Sequence, residues 1–117
     1  MTDLNTLMTL DGALAAFAFN DHGEVTDHTI ADGTRLNATA LDLLAHMCVA
    51  NLSIATMQAR GWEQISGQQG FYPVNGFSLI GLDWTAFAVG NVGVVVSNAD
   101  ADYESAYRLL NEQGAVG

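Results

Sequence analysis

At 117 residues the chain fits one domain, long enough to bury a core without disulfides or metal. Half of the residues are hydrophobic and 14% are charged, which is a globular composition and excludes a disordered chain. Thirteen acidic residues against Arg35, Arg60 and Arg108, with no lysine, leave a net charge of −10; without a basic patch, nucleic acid and anionic membranes are excluded as partners.

Met1 to Leu10 is expected to form a short helix, with Leu4, Leu7 and Met8 on one face, Thr2 or Asp3 as its cap and Gly12 as its end. Ala13 to Phe19 (ALAAFAF) reads as a strand. Ala13, Ala15, Phe17 and Phe19 lie on one face and Leu14, Ala16 and Ala18 on the other, so the strand is apolar on both sides and belongs at the centre of a sheet. Asn20-Asp21-His22-Gly23 is a turn, with Gly23 suited to the left-handed position of a bulged hairpin. Glu24 to Ala31 is far more polar and is placed at a sheet edge.

Leu36 to Arg60 contains neither Gly nor Pro and predicts a long helix. At about 100° per residue, Thr39, Asp42, His46, Ser53, Thr56 and Arg60 form one narrow polar strip, interrupted by Val49. The rest of the circumference is apolar or small: Leu41, Leu43, Leu44, Met47, Cys48, Leu52, Ile54, Ala55 and Met57. A surface helix needs an apolar stripe only a little over 100° wide, and this one is roughly twice that. One sheet does not cover so much surface; a second copy of the same helix would.

Gly61 to Gly76 is expected to be a long irregular loop rich in Gly and Gln, carrying Trp62, Phe71, Tyr72 and Pro73. Phe77 to Leu82, Trp84 to Val89 and Val92 to Ser97 read as three strands joined by tight turns at Asp83 and at Gly90-Asn91. The last of them is apolar on both faces and therefore central. Asp100 to Gln113 closes the chain as a helix, with Asp100 as its N-cap, Tyr103, Ala106, Tyr107 and Leu110 on its buried face and Gly114 as its stop.

This order predicts an α+β fold: a five-stranded antiparallel sheet with the long helix on one face and the two shorter terminal helices on the other, α-β-β-α-β-β-β-α, in one domain spanning residues 1–117. The run from Leu10, LDGALAAFAFNDHGEVTD, resembles the opening of the Roadblock domain family of dynein light chain type, and the later elements match that Roadblock-like, profilin-like order. Tyr72-Pro73-Val74-Asn75-Gly76-Phe77, with Gly81 following, is similar to an uncharacterised bacterial offshoot of the family. The resemblance implies a dimer in which middle helices pack side by side and third strands pair across a two-fold axis. It also implies a scaffold or regulator without catalytic residues, serving dynein, lysosomal signalling platforms or small Ras-like GTPases. The acidity and the long aromatic loop depart from the family pattern.

No residue set reads as chemistry, so neither an enzyme nor a cofactor or metal site is expected. His22, His28 and His46 match no metal spacing, and a site of His22 and His28 with Asp21 and Asp27 is a minor alternative to solvated polar residues. Asn98, Asp100 and Asp102 imitate the start of a calcium loop, but Tyr103 and Leu109 stand where its Gly and Glu belong. Cys48 lacks a base and reads as core filler, with an intermolecular disulfide as a side possibility. A lone cysteine, the polar start MTDLNT and the lack of an uninterrupted apolar run of spanning length point to the cytoplasm. The expected homodimer interface comprises Leu44, Met47, Cys48, Asn51 and Met57 of the long helix with Phe77 and Leu79 of the third strand. Trp62, Phe71, Tyr72 and Trp84 are expected to serve an unidentified protein partner or, alternatively, to line a small-ligand pocket beneath the loop.

Overall fold

The computed structural model describes residues 3–114. In chain order the elements are α1 (Leu4–Leu7), β1 (Ala13–Phe19), β2 (Val25–Ile30), α2 (Ala38–Ser66), β3 (Gly76–Ile80), β4 (Trp84–Val89), β5 (Val92–Ser97) and α3 (Tyr103–Gly114). The strands form one five-stranded antiparallel sheet in the order β2-β1-β5-β4-β3. The two strands that are apolar on both faces, β1 and β5, pair at its centre, and polar β2 lies at one edge.

Each face of the sheet has its own core. Alternation along the strands sends Ala16, Phe87, Val89, Val92, Val94 and Val96 to one face, where Leu4 and Leu7 of α1 and Ala106 and Leu110 of α3 cover them. Tyr103 and Tyr107 stand edge-on to the Phe87 ring at 5.0 and 5.5 Å, an arrangement that the ring quadrupole favours. Ala15, Phe17, Phe19, Ala86, Ala88 and Val95 go to the other face and meet Leu41, Ala45 and Cys48 of α2. The small residues there let the helix approach closely. Gly93 serves the same end, because a Cβ on it would run into the Phe17 ring.

The β1–β2 turn fixes the start of α2. Asn20 Oδ1 accepts from the amides of His22 and Glu24, both at 3.0 Å, Gly23 takes φ +83°, and the register shifts at Ala18/Phe19. Gly23 lies so close to His46 that a Cβ would meet its backbone. Asp42 Oδ1 accepts from the Val25 amide at 3.3 Å, and the Asn37 side chain caps the helix by accepting from the Ala40 amide at 2.8 Å.

Three expected boundaries move. The long helix does not stop at Arg60 but runs through Gly61 to Ser66, where Gly67 ends it at φ +70°. The cap of α3 is Asp102 rather than Asp100: Asp102 accepts from the Ser105 amide at 3.2 Å and the Ser105 hydroxyl at 2.8 Å, and these bonds lower its pKa. Helix α1 is a single turn capped by Asp3, which accepts from the Asn5 amide; the expected start at Met1 and the alternative cap Thr2 lie outside the described residues.

Candidate interaction surface

Helix α2 is apolar on two opposite sides. Leu41, Ala45 and Cys48 turn to the sheet, at the four- and three-residue steps of one helix face. Leu43, Met47, Ile54, Met57 and Ile65 turn to solvent, with exposures of 65%, 46%, 54%, 73% and 85%. So large an apolar stripe on a helix already seated on a sheet marks a surface built for contact.

Beside this stripe lies an open groove of about 530 Å³. Leu36, Ala40, Leu43, Leu44 and Met47 form its helix wall, Leu79, Leu82 and Trp84 its strand wall, and Ala86 and Val95 its floor. The groove lies between α2 and the β3–β4 hairpin, over the stretch where Leu79, Leu82 and Trp84 are left exposed. Beyond it, β3 is the last strand of the sheet and its outer backbone edge has no strand beside it among the described residues. Asn98 holds the outer wall in place. Its amide nitrogen donates to the carbonyls of Gly81 and Leu82 at 2.9 and 3.0 Å, and its oxygen accepts from the buried Thr85 hydroxyl at 2.6 Å.

The 67–75 segment is tied to the end of α2. Glu63 Oε2 accepts from three successive amides, Gly70, Phe71 and Tyr72, at 2.8, 3.0 and 3.2 Å. The Tyr72, Gly70 and Phe71 amides together hold the Glu63 carboxyl below its ordinary value of 4.5. Arg60 lies over the Tyr72 ring, 4.5 Å from its centre, and donates to the Tyr72 hydroxyl at 2.8 Å. A second cleft, of about 490 Å³, opens on the other side of the segment between Trp62, Phe71, Pro73, Gln58, Asn75 and Tyr107.

The structure sorts the expected site residues into separate groups. Leu44, Met47, Leu79 and Trp84 converge on the large groove. Phe77 packs into the core beside it and Met57 lies on the exposed stripe, while Asn51 is partly buried. Cys48 is core filler, as its lack of a base suggests, and leaves the expected interface set: it is 1% exposed and packed against its own sheet, so it cannot face a partner copy. Burial pushes its thiol up to about 11, which leaves it protonated and inert and removes the side possibility of an intermolecular disulfide. The four aromatics do not share one pocket either. Trp62 and Phe71 line the cleft, Tyr72 turns to Arg60, and Trp84 belongs to the groove.

Sequence reasoning missed Leu43, Ile54 and Ile65 as outward residues, and Asn98 and Glu63 as the residues that fix the groove wall and the loop. The four- and three-residue spacing of the apolar stripe was legible; which side of the helix the sheet would take was not. Among the described residues no group of three His, Cys, Asp or Glu side chains is placed to hold a metal ion. Among the described residues α2 is the one helix long and apolar enough to cross a bilayer by length and composition. Its Leu41–Ala45–Cys48 face is nevertheless committed to the sheet.

Comparison with known proteins bears first on the fold. The gliding protein MglB from Thermus thermophilus has a TM-score of 0.72 at 16% identity, over 97% of this chain and 84% of its own. A Roadblock/LC7 domain from Streptomyces avermitilis has a TM-score of 0.72 at 13% identity, over 97% of this chain and 89% of its own. A structure described as MglB with tetrameric arrangement has a TM-score of 0.71 at 16% identity, over 97% and 83%. The architecture is therefore that of the Roadblock fold. No curated protein matches the sequence. A family model described as "Uncharacterized conserved protein (DUF2173)" matches residues 3–112.

Proposed function

The chain belongs to the DUF2173 family of uncharacterized conserved proteins, and from that premise we propose that it is a cytoplasmic, non-enzymatic regulatory or scaffold protein that works as a homodimer and binds another protein. The observation that carries this reading is the coincidence of three unused surfaces on one side of the molecule: the exposed stripe of α2, the apolar groove beside it and the free edge of β3. A second copy covers all three at once. The tetrameric arrangement described for one MglB structure supports self-association in this fold. Nucleic acid and membrane are not partners in this reading, because the chain carries a charge of −10 and only three basic residues. For the outside partner, the Roadblock resemblance favours a small GTPase or a cytoplasmic enzyme complex. Affinity capture with the dimer, followed by identification of what it retains, tests that assignment; recovery of neither kind of protein sinks it.

The open cleft beside Trp62 and Phe71 favours a second reading, that of a small-ligand sensor. It requires the fluorescence of Trp62 to respond to ligand in a Trp84→Phe variant, where Trp62 is the remaining tryptophan. A flat response across a panel of small aromatic and amphipathic metabolites rejects it.

A further inference from the structure

The bonds that fix the 67–75 segment leave two large rings unused. Glu63 holds the Gly70, Phe71 and Tyr72 amides, Arg60 holds the Tyr72 ring and hydroxyl, and the Asn75 side-chain amide donates to Asn111 Oδ1 at 2.8 Å. Aromatic residues that pin a loop do so by burying their rings. Trp62 and Phe71 line the cleft yet are 59% and 56% exposed, so they do not pin the segment. Across the cleft, Tyr107 is held through its hydroxyl, 2.7 Å from that of Ser78. The walls thus come from α2, the segment and α3, and each is fastened without a guest.

Charge selects the guest. No ionisable side chain other than the Tyr107 phenol lines the cleft, so nothing in it pairs with a carboxylate or a phosphate. The chain's net charge of −10 repels anions and draws cations. Two charged residues flank Trp62 in the helix. Glu63 bonds the Gly70 and Phe71 amides of the cleft wall itself. Arg60 lies roughly 150° round the helix from the centre of the Ala55–Gln58–Ala59–Trp62 face, on the side of Tyr72, which does not line the cleft. An aromatic face attracts a cation through its quadrupole, tryptophan most strongly. The chain already uses that attraction where Arg60 covers Tyr72 at 4.5 Å; among the described residues no cation covers Trp62 or Phe71.

We propose that the cleft between Trp62, Phe71 and Tyr107 binds a small soluble organic cation, an alkylated ammonium compound of choline type, with its ammonium group against the rings and its polar tail toward Gln58 and Asn75. This rests on the ligand-sensor reading and gives that reading a ligand class. A cleft of about 490 Å³ lies within the range of small-molecule sites.

The test uses the full chain and two probes: choline, and its neutral isostere with a tert-butyl group in place of trimethylammonium. Both are titrated by calorimetry into wild type, Trp62→Leu, Phe71→Leu and, as a control outside the cleft, Trp84→Phe, with folding checked by circular dichroism. Choline is expected to bind wild type and Trp84→Phe alike. The isostere should bind at least about tenfold more weakly, and each cleft variant should lose about tenfold in choline affinity. Choline affinity should also fall as salt shortens the Debye length from about 30 Å at 0.01 M to about 3 Å at 1 M. Phosphatidylcholine vesicles offer the same headgroup on a lipid and should not retain the protein; retention would overturn a soluble cation as the source. Equal binding of the isostere, or unchanged choline affinity in folded Trp62→Leu and Phe71→Leu, overturns the proposal. If choline gives no heat while another compound moves the fluorescence of Trp62 in Trp84→Phe, the cation is overturned and the ligand reading stands. Silence toward every compound overturns both.

Discussion

The Asn98 side chain spans the base of the β3–β4 turn, satisfying two carbonyls and the Thr85 hydroxyl at once. Thr85 is fully buried, so removal of its partner strands a polar group away from water. Asn98→Ala is expected to cost about 1–3 kcal/mol in urea unfolding, the range for an unsatisfied buried group. Glu63 acts similarly on the 67–75 segment. Its folded pKa lies below 4.5, so the tie is fully present above that value and is lost as pH falls through the lower, folded one. Glu63→Ala should speed hydrogen exchange at the Gly70, Phe71 and Tyr72 amides at neutral pH and leave the sheet amides unchanged; unaltered exchange would refute the role. Neither residue was legible in the sequence, because each acts through backbone groups that only the folded chain brings to it.

At the scale of elements, most of the architecture was legible because its strands carry opposite patterns. ALAAFAF and VGVVVS are apolar on both faces and could only be central, whereas VTDHTI is polar enough to survive at an edge. The end of α2 was not legible. Gly61 looks like a terminator, yet the helix continues to Ser66, and Glu63 within that extension is bonded to the Gly70, Phe71 and Tyr72 amides. Nor does the sequence separate the sheet side of α2 from the outward side, since both are apolar, which is why Cys48 reads both as core filler and as an interface residue and only the first holds. The distinction yields a paired prediction. Met47→Glu should keep the fold and lose the dimer, because Met47 is exposed in the single chain. Cys48→Asp should unfold the protein, because it puts an unpaired charge into the core at a cost of several kcal/mol. Far-UV circular dichroism and mass, measured on both variants, check the pair; a folded Cys48→Asp would contradict the assigned face.

Across the whole molecule the charge opposes association. Each copy carries −10, and the stripe and groove proposed to join them are almost free of charge. Repulsion between two such bodies is screened with a Debye length of about 10 Å at 0.1 M salt and about 3 Å at 1 M. Added salt is therefore expected to tighten the dimer, the reverse of an interface held by ion pairs; weakening on going from low to high salt, read by sedimentation equilibrium, would show that charged contacts carry it. The same charge keeps so apolar a surface soluble. The most direct measurement of the central claim is the absolute mass of the wild-type chain in solution by light scattering behind a sizing column. The account predicts twice 12.4 kDa, and a monodisperse species of 12.4 kDa at every concentration tested would contradict it.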